Sequence, residues 1–377
     1  MSTQVSVFHA DVVGSLLRPH YLVEARNAFQ AGRIPKAELT TVENKAIDQA
    51  LRLQEEVGLD VVTDGEFRRG FFFDQFARGL DGINTGSGLT AVFHNKETDT
   101  AMEVPIPYLV TEKVRPNGTL EAIDEFLYTS AHTDRTVKVT LPGPTLAVIC
   151  AWHQEHSRDA YPDWLEFAED VTEALRGWIT QLGEAGCGYI QIDEPNIAQC
   201  FADAEWRQTW AAAQGIEPDR LMEHGMELLG SLPSAAPAGT TVGLHVCKGN
   251  GTQSWIAEGG YDDFAGALVR TAAGYDIYHF EYDDDRSGTF EALKSVPDDK
   301  VVVLGLVSTK WTTIEDMETL RGRVDEAAQF HPKENLAIAT QCGFASAAET
   351  AEERKITDET QLRKLQLVVD TAREIWG

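Results

Sequence analysis

The chain has 377 residues, of which 43% are hydrophobic and 24% charged, and its formal net charge is -28. This length suits one large α/β barrel or two modest domains, and it can bury a core without disulfides. The acidic balance argues against a nucleic-acid partner, and the absence of a long apolar run or an export leader predicts a cytoplasmic protein that does not contact membranes.

Eight short β-rich runs that end in polar or glycine residues follow one another along the chain. They cover residues 11–15, 61–66, 137–143, 189–195, 241–247, 277–283, 301–308 and 336–343. Between most of them lie stretches with helical spacing, for example from Lys36 and from Asp163. Apolar runs that alternate with such helices are typical of buried parallel strands. Eight units predict an α/β protein with a (β/α)8 TIM barrel, although the count alone leaves a doubly wound sheet open.

The interval after the second predicted strand breaks this rhythm. Residues 71–136 are too long for one crossover, and Asn117-Gly118 within them fits a two-residue hairpin turn. We therefore expect a β-ribbon insertion after strand 2, near the mouth of the barrel. No linker interrupts the rest of the chain, so residues 1–377 are predicted to form a single barrel domain that contains this insertion.

A histidine and two cysteines lie at the ends of the fifth and eighth predicted strands. His245 and Cys247 share one face of a strand because side chains alternate with period two, Cys342 follows the eighth strand, and Glu281 lies in the sixth. Imidazole, thiolate and carboxylate are ligands that zinc takes in tetrahedral geometry. An isolated pair of this kind is more often a buried histidine beside a small thiol. The strand-end position of all four residues favours a zinc site with one displaceable ligand.

Six motifs in this order resemble the catalytic barrel of the cobalamin-independent methionine synthase family, in its short single-barrel form. They are VGSLLRP, TDGEFRRG, IQIDEP, LHVC, FEYDDDRSG and TQCGFAS. The resemblance implies a zinc-dependent methyltransferase of methionine biosynthesis, in which a zinc-bound homocysteine thiolate attacks the alkyl carbon. It also implies that zinc is the cofactor, with His245, Cys247, Glu281 and Cys342 as its ligands.

The same motifs imply how the thiol substrate is bound. Gly14 and Ser15 match the residues that face its carboxylate, and Glu66 and Asp193 match those that face its ammonium group. A carboxylate at a strand end also often serves as a helix cap or as the partner of an arginine. Arg68 is a candidate clamp for an anionic alkyl donor, or a member of a surface ion pair.

The alternative function lies within the same family. An epoxyalkane:coenzyme M transferase uses a zinc-bound coenzyme M thiolate to open an epoxide. Its sulfonated thiol needs arginine or lysine partners instead of Glu66 and Asp193, and the candidates are Arg18, Arg68, Arg69 and Lys248. Longer family members carry a second barrel that holds the folate tail, so the alkyl donor stays open between folate, corrinoid and epoxide. The expected partners are a small thiol, homocysteine or coenzyme M, and this donor, and a homo-oligomer is left open. A zinc-binding protein without turnover is the remaining hypothesis.

Overall fold

The structure is a computed structural model that describes residues 6–95, 100–118, 120–203, 207, 214–250, 255, 257–262, 264–345 and 355–377. For residues 86–95, 100–107, 199, 201 and 202 it describes the backbone alone. Its strands, in chain order, are β1 (Ala10–Asp11), β2 (Val61–Val62), β3 (Leu80–Asn95), β4 (Thr100–Pro116), β5 (Thr136–Pro142), β6 (Tyr189–Asp193), β7 (Thr241–Val246), β8 (Ile277–Glu281), β9 (Val301–Val307) and β10 (Leu336–Thr340).

Eight of these strands form one parallel sheet. Its order is β2-β5-β6-β7-β8-β9-β10-β1, so neighbouring strands follow chain order and β1 comes last, beside β10. Just beyond β1 and β2, the Leu16 amide donates to the Gly65 carbonyl (3.1 Å), and the Thr63 hydroxyl donates to the Gly14 carbonyl (3.2 Å). The two end strands therefore meet. The TIM barrel prediction is confirmed, and the doubly wound sheet is excluded.

Helices alternate with the strands and cover the barrel. They are α1 (His20–Gln30), α2 (Lys36–Val57), α3 (Asp74–Arg78), α4 (Glu121–Ser130), α5 (Pro144–Ala151), α6 (Gln154–Ser157), α7 (Trp164–Glu184), α8 (Asn196–Ala202), α9 (Pro218–Ser231), α10 (Ala265–Thr271), α11 (Met317–Ala327) and α12 (Asp358–Trp376). Among the described residues, no helix combines the length and the apolar character that crossing a bilayer requires.

Helix α2 shows why the helical segments form where the sequence predicts them. Its buried residues Leu39, Ile47, Ala50 and Leu51 fall on one face, at the spacing of a 3.6-residue repeat. The helix ends at Gly58, which has φ 94° and donates its amide to the last turn. A left-handed residue at this place closes a helix, and glycine adopts that conformation without a Cβ clash.

The β-ribbon predicted after strand 2 is present, but its turn is not where we expected it. Strands β3 and β4 pair antiparallel from Leu80 opposite Pro116 to Asn95 opposite Thr100. Asn117-Gly118 therefore follows β4, where the chain leaves the ribbon, and the Asn117 amide donates to the Gly79 carbonyl. The segment that joins the two strands, residues 96–99, lies outside the described residues. The grouping of residues 71–136 as one insertion in a single domain stays a proposal.

A buried polar layer inside the barrel supports the site above it. Lys138 Nζ lies 2.8 Å from Asp11 Oδ1, and the Tyr189 hydroxyl lies 2.7 Å from Nε2 of His279. The His279 ring is edge-on to the His245 ring, with the centroids 6.4 Å apart. The side chains below the mouth are thus fixed by hydrogen bonds as well as by apolar packing, which limits how far the His245 ring can move.

We predict that Gly58→Ala lowers the stability of the fold by about 1 kcal/mol, because the Cβ of an alanine clashes with the backbone in the left-handed conformation of this residue. The added Cβ would also lie 2.1 Å from Nη2 of Arg373. Gly177→Ala is the matched control, because this exposed helical glycine has nothing within 4 Å of an added Cβ. It should stabilise the fold by up to about 1 kcal/mol. Thermal unfolding measures both, and equal shifts in the same direction would contradict the assignment of the α2 terminus.

Candidate metal centre and substrate pocket

The carboxyl ends of the strands bring the predicted metal ligands together. Parallel pairing of β6 with β7 sets Asp193 opposite His245. Cys247 directly follows β7, and Cys342 lies just beyond β10, so both thiols reach the same mouth of the barrel. His245, Cys247 and Cys342 are buried, and their ligand atoms all lie within 4.8 Å of one another. The fold therefore places one imidazole and two thiols in a single cluster.

The His245 ring is oriented by a carboxylate. Its Nδ1 donates to Oδ1 of Asp193 at 2.9 Å, and the side-chain amide of Gln191 donates to the same oxygen at 2.8 Å. The other ring nitrogen, Nε2, is buried and has no hydrogen-bond partner among the described residues. A histidine that donates one nitrogen to a carboxylate and leaves the other free is the usual arrangement of a metal-binding histidine.

The two cysteines at the mouth favour a bound cation. The hydrogen bond with Cys342 and burial both raise the pKa of the Cys247 thiol well above its ordinary value. A buried thiol of this kind stays protonated at neutral pH unless a positive charge stabilises the thiolate. A divalent metal provides that charge, and its binding releases the thiol protons. Metal affinity at this cluster is therefore expected to fall as the pH is lowered.

Glu281, the fourth ligand that the sequence predicts, lies beside this cluster but outside the group within 4.8 Å. Its Oε1 is 2.8 Å from Lys310 Nζ, and its Oε2 accepts the Lys248 amide at 2.7 Å. Burial by itself raises the pKa of this carboxyl, but Lys310, Lys248 and Arg286 outweigh it and lower the pKa to about 2. The carboxylate is thus ionised. The Lys310 ammonium group binds one of its oxygens, and the backbone amide of Lys248 binds the other.

The residues predicted to bind the substrate carboxylate adjoin the metal cluster. Ser15 lies against the loop that follows Cys342, since a Cβ added to Gly343 would come within 2.4 Å of the Ser15 hydroxyl oxygen. The Ser15 carbonyl accepts the Phe344 amide at 2.7 Å. Gly14 lies against Glu66, and a Cβ at Gly14 would be 2.8 Å from Glu66 Oε1. A side chain at position 14 would therefore press on the Glu66 carboxylate, which would have to shift.

Glu66 is held in a backbone conformation that few residues adopt. Its φ is 57°, and among the described residues it is the one non-glycine residue with a positive φ. Such a conformation costs on the order of 1 kcal/mol and often marks a functional site. The Thr140 hydroxyl donates to Oε1 at 2.8 Å, while the buried Oε2 has no hydrogen-bond partner among the described residues. Burial raises the pKa of Glu66, Arg69 opposes this shift, and Asp193 adds to it.

Of the two consecutive arginines, Arg69 and not Arg68 faces this pocket. Arg69 Nη1 lies 3.5 Å from Glu66 Oε1, and its Nη2 lies 3.0 Å from Glu125 Oε2. Arg68 instead donates to the Asn44 side chain on α2 at 2.7 Å, and its guanidinium lies over the ring of Tyr128. No contact between Arg68 and the pocket is seen among the described residues, so the structure does not support the prediction that Arg68 binds the substrate.

Two residues of the pocket were missed at the level of sequence. Thr140 contacts Glu66, and Lys310 contacts Glu281. Lys310 carried a detectable signal, because it lies three residues beyond the carboxyl end of β9, at the same mouth as the other polar residues. Thr140 lies within β5, where the alternation of side chains does not show which residues reach the pocket and which belong to the core.

Comparisons with known proteins agree with this geometry. Over residues 8–365 the chain matches the family model described as "Cobalamin-independent synthase, Catalytic domain". The protein YxjH of Bacillus subtilis (strain 168), described as uncharacterized, is 33% identical over 98% of this chain and 95% of its own length. The 5-methyltetrahydropteroyltriglutamate-homocysteine methyltransferase of Thermotoga maritima is 30% identical, over 50% of this chain and 24% of its own length.

Among solved structures, one from Listeria monocytogenes has the same architecture. It is assigned as a vitamin-B12-independent methionine synthase, and it superposes with a TM-score of 0.75 at 28% identity over 100% of both chains. The agreement over the full length of both chains supports the barrel and the placement of its strands.

We predict that Cys342→Ser loses the metal, because serine replaces one of the two soft sulfur ligands. Elemental analysis of the purified wild-type protein should give about one zinc per chain, and that of the variant a small fraction of it. Cys187→Ser is the matched control, since this cysteine is also buried but lies outside the 4.8 Å group. A Cys342→Ser protein with a full complement of zinc would remove this residue from the site.

Proposed function

Because the chain belongs to the cobalamin-independent synthase family, as its catalytic domain, we propose that it transfers a methyl group to homocysteine at a zinc site. One observation carries this assignment: two buried atoms at the same mouth, Nε2 of His245 and Oε2 of Glu66, lack partners among the described residues. Nε2 of His245 can bind a metal, and Oε2 of Glu66 can accept a hydrogen bond from the ammonium group of an amino acid. A thiol that also carries an amino acid moiety meets both requirements.

His245, Cys247 and Cys342 would hold the zinc. One imidazole and two thiols are a donor set that zinc accepts, and three protein ligands leave a position for a substrate. When bound, zinc makes a thiol a better nucleophile at neutral pH by favouring its thiolate. Asp193 fixes the tautomer and the direction of His245, so that Nε2 faces the cysteines. Glu281 stays a predicted fourth ligand.

Glu66 and Asp193 would bind the ammonium group of homocysteine. Burial raises the pKa of Glu66, and repulsion from the neighbouring Asp193 carboxylate adds to this rise. A substrate ammonium group relieves this repulsion and gains charged hydrogen bonds. Gly14 and Ser15 lie between Glu66 and the Cys342 loop, where the substrate carboxylate would face them. The amino acid moiety would thereby be fixed on the side of the pocket opposite the incoming methyl group.

The coenzyme M alternative has less in its favour. A sulfonate requires an arginine or a lysine with free donors. Arg69 is paired with Glu66 and Glu125, and Arg68 points to α2. Lys248 Nζ donates to the Ser287 hydroxyl, and the Arg18 guanidinium donates to the backbone carbonyls of Arg69 and Ala345. The pocket beside the cysteines is thus lined with acceptors for an ammonium group, and the relatives described above are not named for coenzyme M.

The function is tested by product formation. The zinc-loaded protein is incubated with homocysteine and, in separate reactions, with 5-methyltetrahydropteroyltriglutamate or methylcobalamin as methyl donor, and methionine is measured by mass spectrometry. We expect methionine with one donor at least, and the donor that supports it identifies the second substrate. Coenzyme M with an epoxyalkane is the comparison arm. Formation of a hydroxyalkyl thioether there, without methionine in the other arms, would contradict the proposal.

We predict that Glu66→Gln weakens homocysteine binding by about 1.5 to 3 kcal/mol, the usual contribution of a hydrogen bond to a charged group. Glutamine keeps the size of the side chain and its contact with Thr140, and zinc content should not change. Coenzyme M, which has a thiol but no ammonium group, is the matched probe and should bind both proteins alike. Calorimetric titration measures both affinities. Equal losses for the two thiols would show that Glu66 has a structural role only.

A further inference from the structure

A buried carboxylate outside the six sequence motifs is bonded to the arginine of the substrate pocket. Glu125 lies on α4, and its side chain and that of Arg69 are both buried. Nη2 of Arg69 is 3.0 Å from Glu125 Oε2, and Nε of Arg69 is 3.4 Å from the same oxygen. Burial raises the pKa of Glu125 to about 7, although Arg69 opposes this rise. Without Arg69, the charge of Glu125 would therefore be still more costly to bury.

A threonine connects Arg69 to Glu66. Nη1 of Arg69 donates to the Thr140 hydroxyl at 2.8 Å. A guanidinium has no acceptor, so the hydroxyl accepts this bond and donates its single proton to Oε1 of Glu66, also at 2.8 Å. Oε1 is thereby engaged, and the buried Oε2 has no hydrogen-bond partner among the described residues. Oε2 is thus the oxygen that remains for a substrate ammonium group.

Arg69 divides its charge unequally between the two carboxylates. Its Nη1 lies 3.5 Å from Glu66 Oε1, whereas its Nη2 lies 3.0 Å from Glu125 Oε2. A charged hydrogen bond is about 2.7–2.9 Å long, so the pair with Glu125 is the tighter one. A guanidinium favours a bidentate pair with a carboxylate. An Arg69 released from Glu125 would therefore close on Glu66 and neutralise the carboxylate that the ammonium group needs.

We propose that Glu125 is a positioning residue of the substrate pocket: it holds Arg69 away from Glu66 and so keeps Oε2 of Glu66 open for the ammonium group of the thiol substrate. This role rests on the proposed function, because it requires Glu66 to bind that group. Glu125 acts through Arg69 and not by contact with the substrate. The affinity of the pocket for an amino acid moiety thus depends on a helix of the outer layer.

A purely structural role for Glu125 makes different predictions. If Glu125 only balances the charge of Arg69, its replacement lowers the stability of the fold and changes the affinity of the folded protein for every thiol alike, or for none. Positioning instead predicts a loss that is confined to the thiol with an ammonium group and that requires Glu66. The dependence of the loss on Glu66 therefore separates the two roles.

The test is a double-mutant cycle on homocysteine affinity. Wild type, Glu125→Gln, Glu66→Gln and the double variant are loaded with zinc and titrated calorimetrically with homocysteine at pH 8, where Glu125 is ionised. Glu125→Gln should weaken homocysteine binding about tenfold, within the range for coupled groups of one network. Added to Glu66→Gln, it should cause no further loss, because Arg69 then has no carboxylate in the pocket to neutralise.

Two controls accompany the cycle. Coenzyme M, which has no ammonium group, should bind wild type and Glu125→Gln alike. Glu121→Gln removes an equal charge from the first turn of the same helix, where Glu121 pairs with Arg78, and should leave homocysteine affinity unchanged. A folded Glu125→Gln protein with wild-type homocysteine affinity would overturn the proposal. An equal loss for coenzyme M, from Glu121→Gln or in the Glu66→Gln background would also overturn it.

If Glu125→Gln does not fold, the buried ion pair is removed as a whole. Glu125→Gln combined with Arg69→Met takes away both ions and keeps the net charge, a change that buried pairs often tolerate. Because no guanidinium can then close on Glu66, this protein should bind homocysteine within about twofold of wild type. A tenfold loss would overturn the proposal.

Methionine formation is a separate measurement on the same proteins. Its absence with the binding pattern intact would reject the methyl transfer and leave the role of Glu125 standing. Methionine formation by wild type without the binding pattern would reject the role of Glu125 alone.

Discussion

Burying several acidic groups at one place is costly unless each has a positive partner, and this constraint governs the mouth of the barrel. Arg69 balances Glu66, and Lys310 balances Glu281. The two cysteines have no such partner among the described side chains except His245, which is already bonded to a carboxylate. The unbalanced sulfur pair and the free oxygen of Glu66 leave room for two more cations. A divalent metal and a substrate ammonium group are the two that the proposed function supplies.

The parts of this arrangement that depend on strand periodicity could be predicted from the sequence. His245 and Cys247 follow one face of a strand, and Cys342 lies at the end of another. Parallel strands in a barrel deliver their carboxyl ends to one mouth, so these residues had to approach one another once the barrel was inferred. The same reasoning placed Gly14, Ser15 and Glu66 at this mouth, because each follows the end of a strand. Their roles in substrate binding come from the motif resemblance and stay a prediction.

The parts that depend on loop geometry could not be predicted in this way. The left-handed backbone at Glu66 starts a turn in which the Arg69 amide bonds to the Glu66 carbonyl, and this turn puts Arg69 in the pocket and Arg68 outside it. Asn117-Gly118 has the composition of a hairpin turn, yet strand pairing places it at the exit of the ribbon. Lys310 escaped notice because a lysine after a strand usually reaches solvent, and only its buried acidic neighbours hold it inside.

Zinc K-edge X-ray absorption on the zinc-loaded wild-type protein, with and without homocysteine, tests the central claim most directly. Two sulfur ligands at about 2.3 Å are expected without substrate, from the two cysteines, and three at saturation with homocysteine. A sulfur count that stays at two under saturating homocysteine would contradict the account, as would fewer than two sulfurs in the protein alone.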